Sequence, residues 1–233
     1  FLSDFISIRC TANGAISYRD DTTNRVIDLK RKLRDKATGD PKTRLGITTT
    51  GILVTTKDGH KISLFKTNAQ HAGEVFGDLL RKRSVDEPML AMADAAAQNR
   101  KHGANVIELG CLVHARRNFF DLQKDKPEEC EKMLACFKEV YRDPESAAPI
   151  MQNIYELCQS GILRHGNNTS IHKAYRYVIN HWDRLTGFLK YPGAPLDNNE
   201  VERELKKPIR HRKNSLFFKN EIGAEVGDII TSV

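Results

Sequence analysis

The sequence predicts an α/β fold: a mixed sheet flanked by helices, with an all-α stretch inserted before the last helix. Three observations predict it. Strand-forming runs alternate with helical periodicity between residues 15 and 109, a 3.6-residue period dominates from Leu112 to Leu189, and a helix-forming segment follows Asn198.

Ala15 to Thr23 joins strand-forming residues to a polar cluster, so the first strand carries Asp20 and Asp21 near its end. Arg25 to Arg44 holds eight basic residues and three acids and contains Thr38-Gly-Asp-Pro41, a turn signal. It reads as an exposed excursion, with a helix over Val26 to Lys36. Ile47 to Thr56 and Lys61 to Phe65 flank Lys57-Asp-Gly-His60, whose Asp-Gly pair favours a tight hairpin.

In the segment from Asn68 to Arg83, residues Ala72, Val75, Phe76, Leu79 and Leu80 recur at helical spacing. Met89 to Ala93 and Asn105 to Leu109 are short apolar runs with the lengths of buried strands, separated by a helix over Ala95 to His102. The apolar face Ile171, Tyr175, Val178, Ile179, Trp182, Leu185 and Leu189 marks the helical stretch, which Gly161 to Asn168 interrupts as a loop. After the break at Tyr191 to Asn199, a short helix should run to Pro208, which cannot continue it, and return to the sheet.

The 233 residues suffice to bury a core, and no run approaches the ~18 uninterrupted apolar residues of a membrane span. Phe1 to Ile8 has neither a basic leader nor a small-residue cleavage site, so the sequence reads as a fragment of a longer protein rather than as one with a signal peptide. Five scattered cysteines do not form a disulfide framework, which points to a reducing cytoplasm. A net charge of +7 suits a polyanionic partner, and Arg203 to Lys219 concentrates seven basic residues against one acid.

Asp94 follows an apolar strand, the position from which side chains emerge into a crevice at a sheet's edge, and Asp20 has a comparable place on the first strand. Phosphoryl transfer on DNA needs hard oxygen ligands, because Mg²⁺ prefers carboxylates and water, and two ions then lie roughly 3.5–4 Å apart. Carboxylates distant in sequence must therefore converge.

Four stretches carry a family likeness: Asp20-Asp-Thr22, Met92-Ala-Asp94, Gly110-Cys-Leu-Val-His-Ala-Arg-Arg-Asn-Phe-Phe120, and Leu196-Asp-Asn-Asn-Glu-Val-Glu-Arg203 continuing to His211-Arg-Lys-Asn-Ser-Leu-Phe217. In order and rough spacing the chain resembles the IS66 group of bacterial insertion-sequence transposases, the two longer motifs being the specific ones. The resemblance implies a ribonuclease H-like fold and an Asp, Asp, Glu triad falling on Asp20, Asp94 and Glu202, with Asp21 where the family often has Glu. It departs from the family after Asp94, where Ala95-Ala96 replaces a Gly and an aromatic residue.

The implied organisation is a ribonuclease H-like core over 1–111, a helical insertion over 112–195, and the catalytic Glu helix with the C-terminal segment over 196–233. The implied activity is phosphodiester hydrolysis at transposon ends and strand transfer to target DNA, with Mg²⁺, or Mn²⁺ in its place, held by Asp20, Asp94 and Glu202. Arg203, Lys206, Lys207, Arg210, Arg212, Lys213, His114 and Arg117 would meet DNA. Further expectations are a homo-oligomer on DNA, small accessory proteins of the same element, and a nucleoid-associated place in the bacterial cytoplasm.

Blander readings stand beside these. Glu202 lies three residues after Asn199, the spacing of a capping box. Asp20 and Asp21 suit a turn, and Asp94 suits a helix cap. Cys111 and His114 have a zinc-like spacing without a second pair, and so read as a helix start. His114, Arg116 and Arg117 either touch phosphates or form a solvated face, and Phe217 and Phe218 should enter the core. A catalytically silent DNA-binding or assembly fragment, and a nuclease that only hydrolyses, are the rival functions.

Overall fold

The computed structural model describes residues 8, 10–28, 33–34, 41–42, 47–95 and 105–232. The chain divides into two compact units, Phe1–Ile107 with Asn199–Val233, and Glu108–Asn198.

The first unit is built on a mixed sheet. Strand β1 (Ile16–Asn24) is followed by the short β2 (Val26–Asp28), β3 (Leu33–Arg34) and β4 (Pro41–Lys42), then by β5 (Ile47–Thr55), β6 (Lys61–Asn68), helix α1 (Ala72–Leu80), β7 (Met89–Ala93) and β8 (Val106–Gly110). The five long strands stand in the order β6-β5-β1-β7-β8. β5 pairs antiparallel with both β1 and β6, whereas β1 and β7 run parallel.

The hairpin between β5 and β6 forms where the Asp-Gly pair predicts it. Gly59 adopts a φ of 85°, a left-handed conformation that glycine reaches without steric cost, and its N–H donates to Thr56 O at 3.0 Å. Strand alternation sorts the sheet's two faces. Ile52, Val54, Met89 and Ala91 join Phe76 and Leu79 of α1 in one core, and the Arg19 guanidinium lies 4.5 Å over the Phe76 ring.

The opposite face receives helix α8 (Asn199–Ser215), so the helix after Asn198 does return to the sheet. It does not stop at Pro208. The proline removes one intrahelical donor, at a cost of about 3 kcal/mol, but Val201, Leu205 and Pro208 form a single buried stripe on the sheet-facing side. Beyond Pro208 the helix is held to the sheet by Arg212, whose bonds to Thr22 and Thr23 require that the turns after the proline continue.

Two other expectations change in this unit. Val26–Asp28 is not helical: it pairs in parallel with β9 (Phe218–Asn220), because Val26 gains a core with Ile47, Ala224 and Phe218 that an exposed helix would forgo. Phe217, just before β9, stays 42% exposed, and only Phe218 packs inward against Val26, Ile47 and Ala224. The helix expected over Ala95 to His102 falls outside the described residues beyond Ala95.

The last helix, α9 (Glu221–Thr231), covers the sheet's free edge at β6. Asp228 accepts from Thr67 N and Thr67 Oγ1, both at 2.6 Å, and Ser232 Oγ accepts from Phe65 N at 2.9 Å. Side chains thus satisfy edge donors that a partner strand would otherwise bind.

The second unit is helical, with α2 (Leu112–Phe120), α3 (Pro127–Arg142), α4 (Ala148–Arg164), α5 (Ser170–Asn180), α6 (Trp182–Leu185) and α7 (Gly187–Lys190). Phe119 is its hub, with ring centroids 5.4 Å from Tyr175 and 6.3 Å from Phe137. The loop expected from Gly161 begins only after Arg164. Gly161 is a buried helical residue, because a Cβ there would stand 2.3 Å from the Tyr175 ring, and its absence lets α4 and α5 close together. The unit's two ends are clasped: Leu112 N donates to Leu196 O at 3.0 Å, and Asn198 N to Cys111 Sγ at 3.3 Å. Among the described residues, no helix is long and apolar enough to cross a membrane.

Candidate active site at the strand ends

The parallel ladder between β1 and β7 ends at the pair Arg19 and Ala93. The next residue on each strand is Asp20 and Asp94. Asp20 is not at the strand end that the sequence suggested, but midway along β1, which continues beside β5 to Asn24; two acids 74 positions apart are instead brought together where the parallel β1–β7 ladder stops.

Across the other ladder, Asp20 faces Gly51 of β5. Opposite residues share a sheet face, so Asp20 emerges on the side where α8 lies. A Cβ on Gly51 would stand 2.9 Å from Leu205 Cδ2; its absence lets the helix rest against the sheet beside Asp20. Glu202 lies in the first turn of that helix, one turn before Leu205. Lys61 pairs with Glu200 at 2.7 Å, and Ser63 Oγ donates to Glu204 at 3.1 Å, which anchors the same turn to β6.

Electrostatics register this convergence. Burial is the main force pushing the Asp20 carboxyl up to about 7, and the negative charges of Asp94, Glu202 and Asp21 push in the same direction. The Asp21 N–H, donating to Asp20 Oδ1 at 2.8 Å, opposes them. Desolvation and neighbouring negative charge both favour the protonated form of Asp20, and a bound divalent cation would oppose them. The donor set of hard carboxylate oxygens fits Mg²⁺ or Mn²⁺. Among the described residues, however, no three His, Cys, Asp or Glu side chains stand at metal-holding spacing, so the acids share a field without forming a closed ligand set.

The basic residues of α8 divide. Arg203, Lys206, Lys207, Arg210 and Lys213 are exposed, although Lys207 pairs with Glu204 at 2.6 Å. Arg212 turns inward to the end of β1, where Nη1 donates to Thr22 Oγ1 at 3.3 Å, to Thr23 Oγ1 at 3.0 Å and to the Thr23 carbonyl. It therefore braces the strand that bears Asp20.

His114 and Arg117 belong to α2 in the helical unit, where His114 is partly buried and Arg117 exposed. Arg116 lies 5.5 Å over the Phe120 ring. Cys111 occupies the N-cap position of α2 with its thiol buried, and desolvation pushes it up to about 11, so it is a protonated packing group at neutral pH.

Sequence reasoning missed Gly51 and Thr50. A glycine inside a strand pattern often marks the close approach of another backbone or helix, and that signal was present in Thr50-Gly-Ile52.

The architecture defines a mixed α/β protein in which Asp20, Asp94 and Glu202 share an electrostatic field where the parallel ladder of the central strands stops. The chain belongs to the IS66 family of transposases, whose family model matches residues 12–226. An uncharacterised protein of Sinorhizobium fredii, y4jD, is 30% identical over 141 residues, covering 53% of this chain and 27% of its own. A second from the same organism, y4qI, is 26% identical over 152 residues, covering 57% and 28%. The matched part thus amounts to about a quarter of the length of these curated relatives.

Proposed function

We propose that the chain is the catalytic core of a DNA transposase with a ribonuclease H-like fold. Asp20 and Asp94 hold divalent metal, and Glu202 completes the shell of a second ion. The observation that carries this reading is the shared field at Asp20, where Asp94, carried in by the β1–β7 register, and Glu202, on the helix that Gly51 admits, both raise its carboxyl.

Mg²⁺, or Mn²⁺ in its place, would activate water or a 3′-hydroxyl and stabilise the leaving oxygen when bound. The protein's own contribution is to fix the carboxylates and hold the DNA. Exposed Arg203, Lys206, Lys207, Arg210 and Lys213 would neutralise backbone phosphates near Glu202, with His114 and Arg117 offering further contacts from the helical unit. Arg212 acts instead by bracing β1. The substrates are transposon ends and target DNA. The working form is a homo-oligomer on DNA in the bacterial cytoplasm at the nucleoid, with small accessory proteins of the same element as partners.

The test is Mn²⁺-dependent cleavage of a DNA duplex, compared between the chain and Asp94→Asn. Ion-dependent cleavage that the variant loses supports the reading; equal activity in both removes it. A second reading, a silent DNA-binding or assembly fragment, is favoured by the open spacing of the three acids, and the same titration separates it because such a fragment cuts nothing at any Mn²⁺ concentration. Supplying a pre-cut end with a free 3′-hydroxyl distinguishes strand transfer from hydrolysis alone.

A further inference from the structure

Asp21 follows Asp20 on β1, and strand alternation sends its side chain to the opposite face of the sheet, away from α8. The carboxylate is only 9% exposed there. Oδ1 accepts from Thr50 Oγ1 at 2.6 Å, and Thr50 is its own register partner on β5. Oδ2 accepts from Ala72 N at 2.9 Å, the first residue of α1, with His71 Nδ1 3.6 Å away. The backbone N–H of Asp21 serves the other face, donating to Asp20 Oδ1 at 2.8 Å.

We infer that Asp21 is a positioning residue that sets the Asp20 carboxylate, linking it through one peptide unit to β5 and to the start of α1. Both side-chain oxygens are committed as acceptors, one to a neighbouring strand and one to a helix terminus, so the end of β1 cannot twist without breaking two bonds. The N–H aimed at Asp20 is held by the same constraint. An amide at position 21 could still serve both partners, its oxygen accepting from Ala72 N and its NH₂ donating to the Thr50 hydroxyl, whereas Asp21→Ala strips both bonds. The assignment rests on the reading of Asp20 as a metal-holding residue, and it makes Asp21 a support for that ligand rather than a ligand itself.

The experiment is Mn²⁺ binding by titration calorimetry to the unmodified chain and to Asp20→Asn, Asp21→Ala, Thr50→Val and Leu79→Ala, with thermal melting of each. The expected result is loss of Mn²⁺ binding in Asp20→Asn, a roughly tenfold to hundredfold weakening in Asp21→Ala, and a smaller weakening in Thr50→Val. Leu79→Ala, which loosens α1 without touching the linkage, should melt lower and bind Mn²⁺ normally. The inference is overturned by unchanged affinity in Asp21→Ala, by a loss there as complete as in Asp20→Asn, which would make Asp21 a ligand, or by equal weakening in Leu79→Ala, which would reduce the effect to general loosening. Normal binding by Asp20→Asn would instead remove the metal reading, and the inference with it.

Discussion

Leu205 of α8 rests on Gly51 of β5, directly across the ladder from Asp20, in the space a Cβ would need. This contact sets how close the Glu202-bearing helix can come to the strand that carries the first acid. Gly51→Val should therefore lift α8 from the sheet, with an overpacking cost of about 1–3 kcal/mol measurable by urea denaturation. Because Glu202 rides on the same helix, DNA cleavage should fall by more than the stability loss explains. A variant as stable and active as the parent would show that the approach of α8 is not limiting.

Asp20 should cost the metal-free fold stability. Its carboxyl stands at about 7 in the folded chain against an ordinary value of 3.8, so it is raised. The associated stability is fully present below about pH 4 and is lost as pH rises through about 7. In chelator, Asp20→Asn should then melt higher than the parent at pH 8, with a ceiling of ~4 kcal/mol from about three pH units at ~1.36 kcal/mol each. The difference should shrink steadily toward pH 4. A variant less stable than the parent at pH 8 would contradict the crowded-carboxylate picture.

Arg212 and Lys206 share a helix and a charge but should behave differently. Lys206→Ala should weaken binding to DNA of any sequence and lower the salt dependence by about one unit of slope, as read by fluorescence anisotropy over a range of salt concentrations. Arg212→Ala should chiefly destabilise the chain by ~1–3 kcal/mol, because it strips bonds from Thr22 and Thr23 at the end of β1. Equal salt slopes lost in both variants would mean that Arg212 leaves the strand to bind phosphate.

Much of the fold is legible in the sequence. The turn at Asp58-Gly59, the apolar spacing in α1 and α5, and the acids after β-rich runs follow from local sterics and periodicity, which neighbouring residues impose on one another. Local signals failed where tertiary contacts overrode them. Pro208 reads as a stop, yet α8 runs on to Ser215, its last turns tied to β1 by the Arg212 bonds to Thr22 and Thr23. Gly161 reads as a loop, yet the Tyr175 ring makes it a helix contact.

The sequence by itself determined the long strands, the helical insert, the charged helix α8 and the acids that follow apolar runs, because each depends on side-chain period and turn chemistry within a few residues. Only the tertiary structure decided that β1 pairs in parallel with β7 in the register that sets Asp20 beside Asp94, that Gly51 admits Leu205, and that Asp21 turns away to hold Thr50 and Ala72. Those relations join residues tens of positions apart. Their energies come from burying a shared face, which no local run of sequence contains.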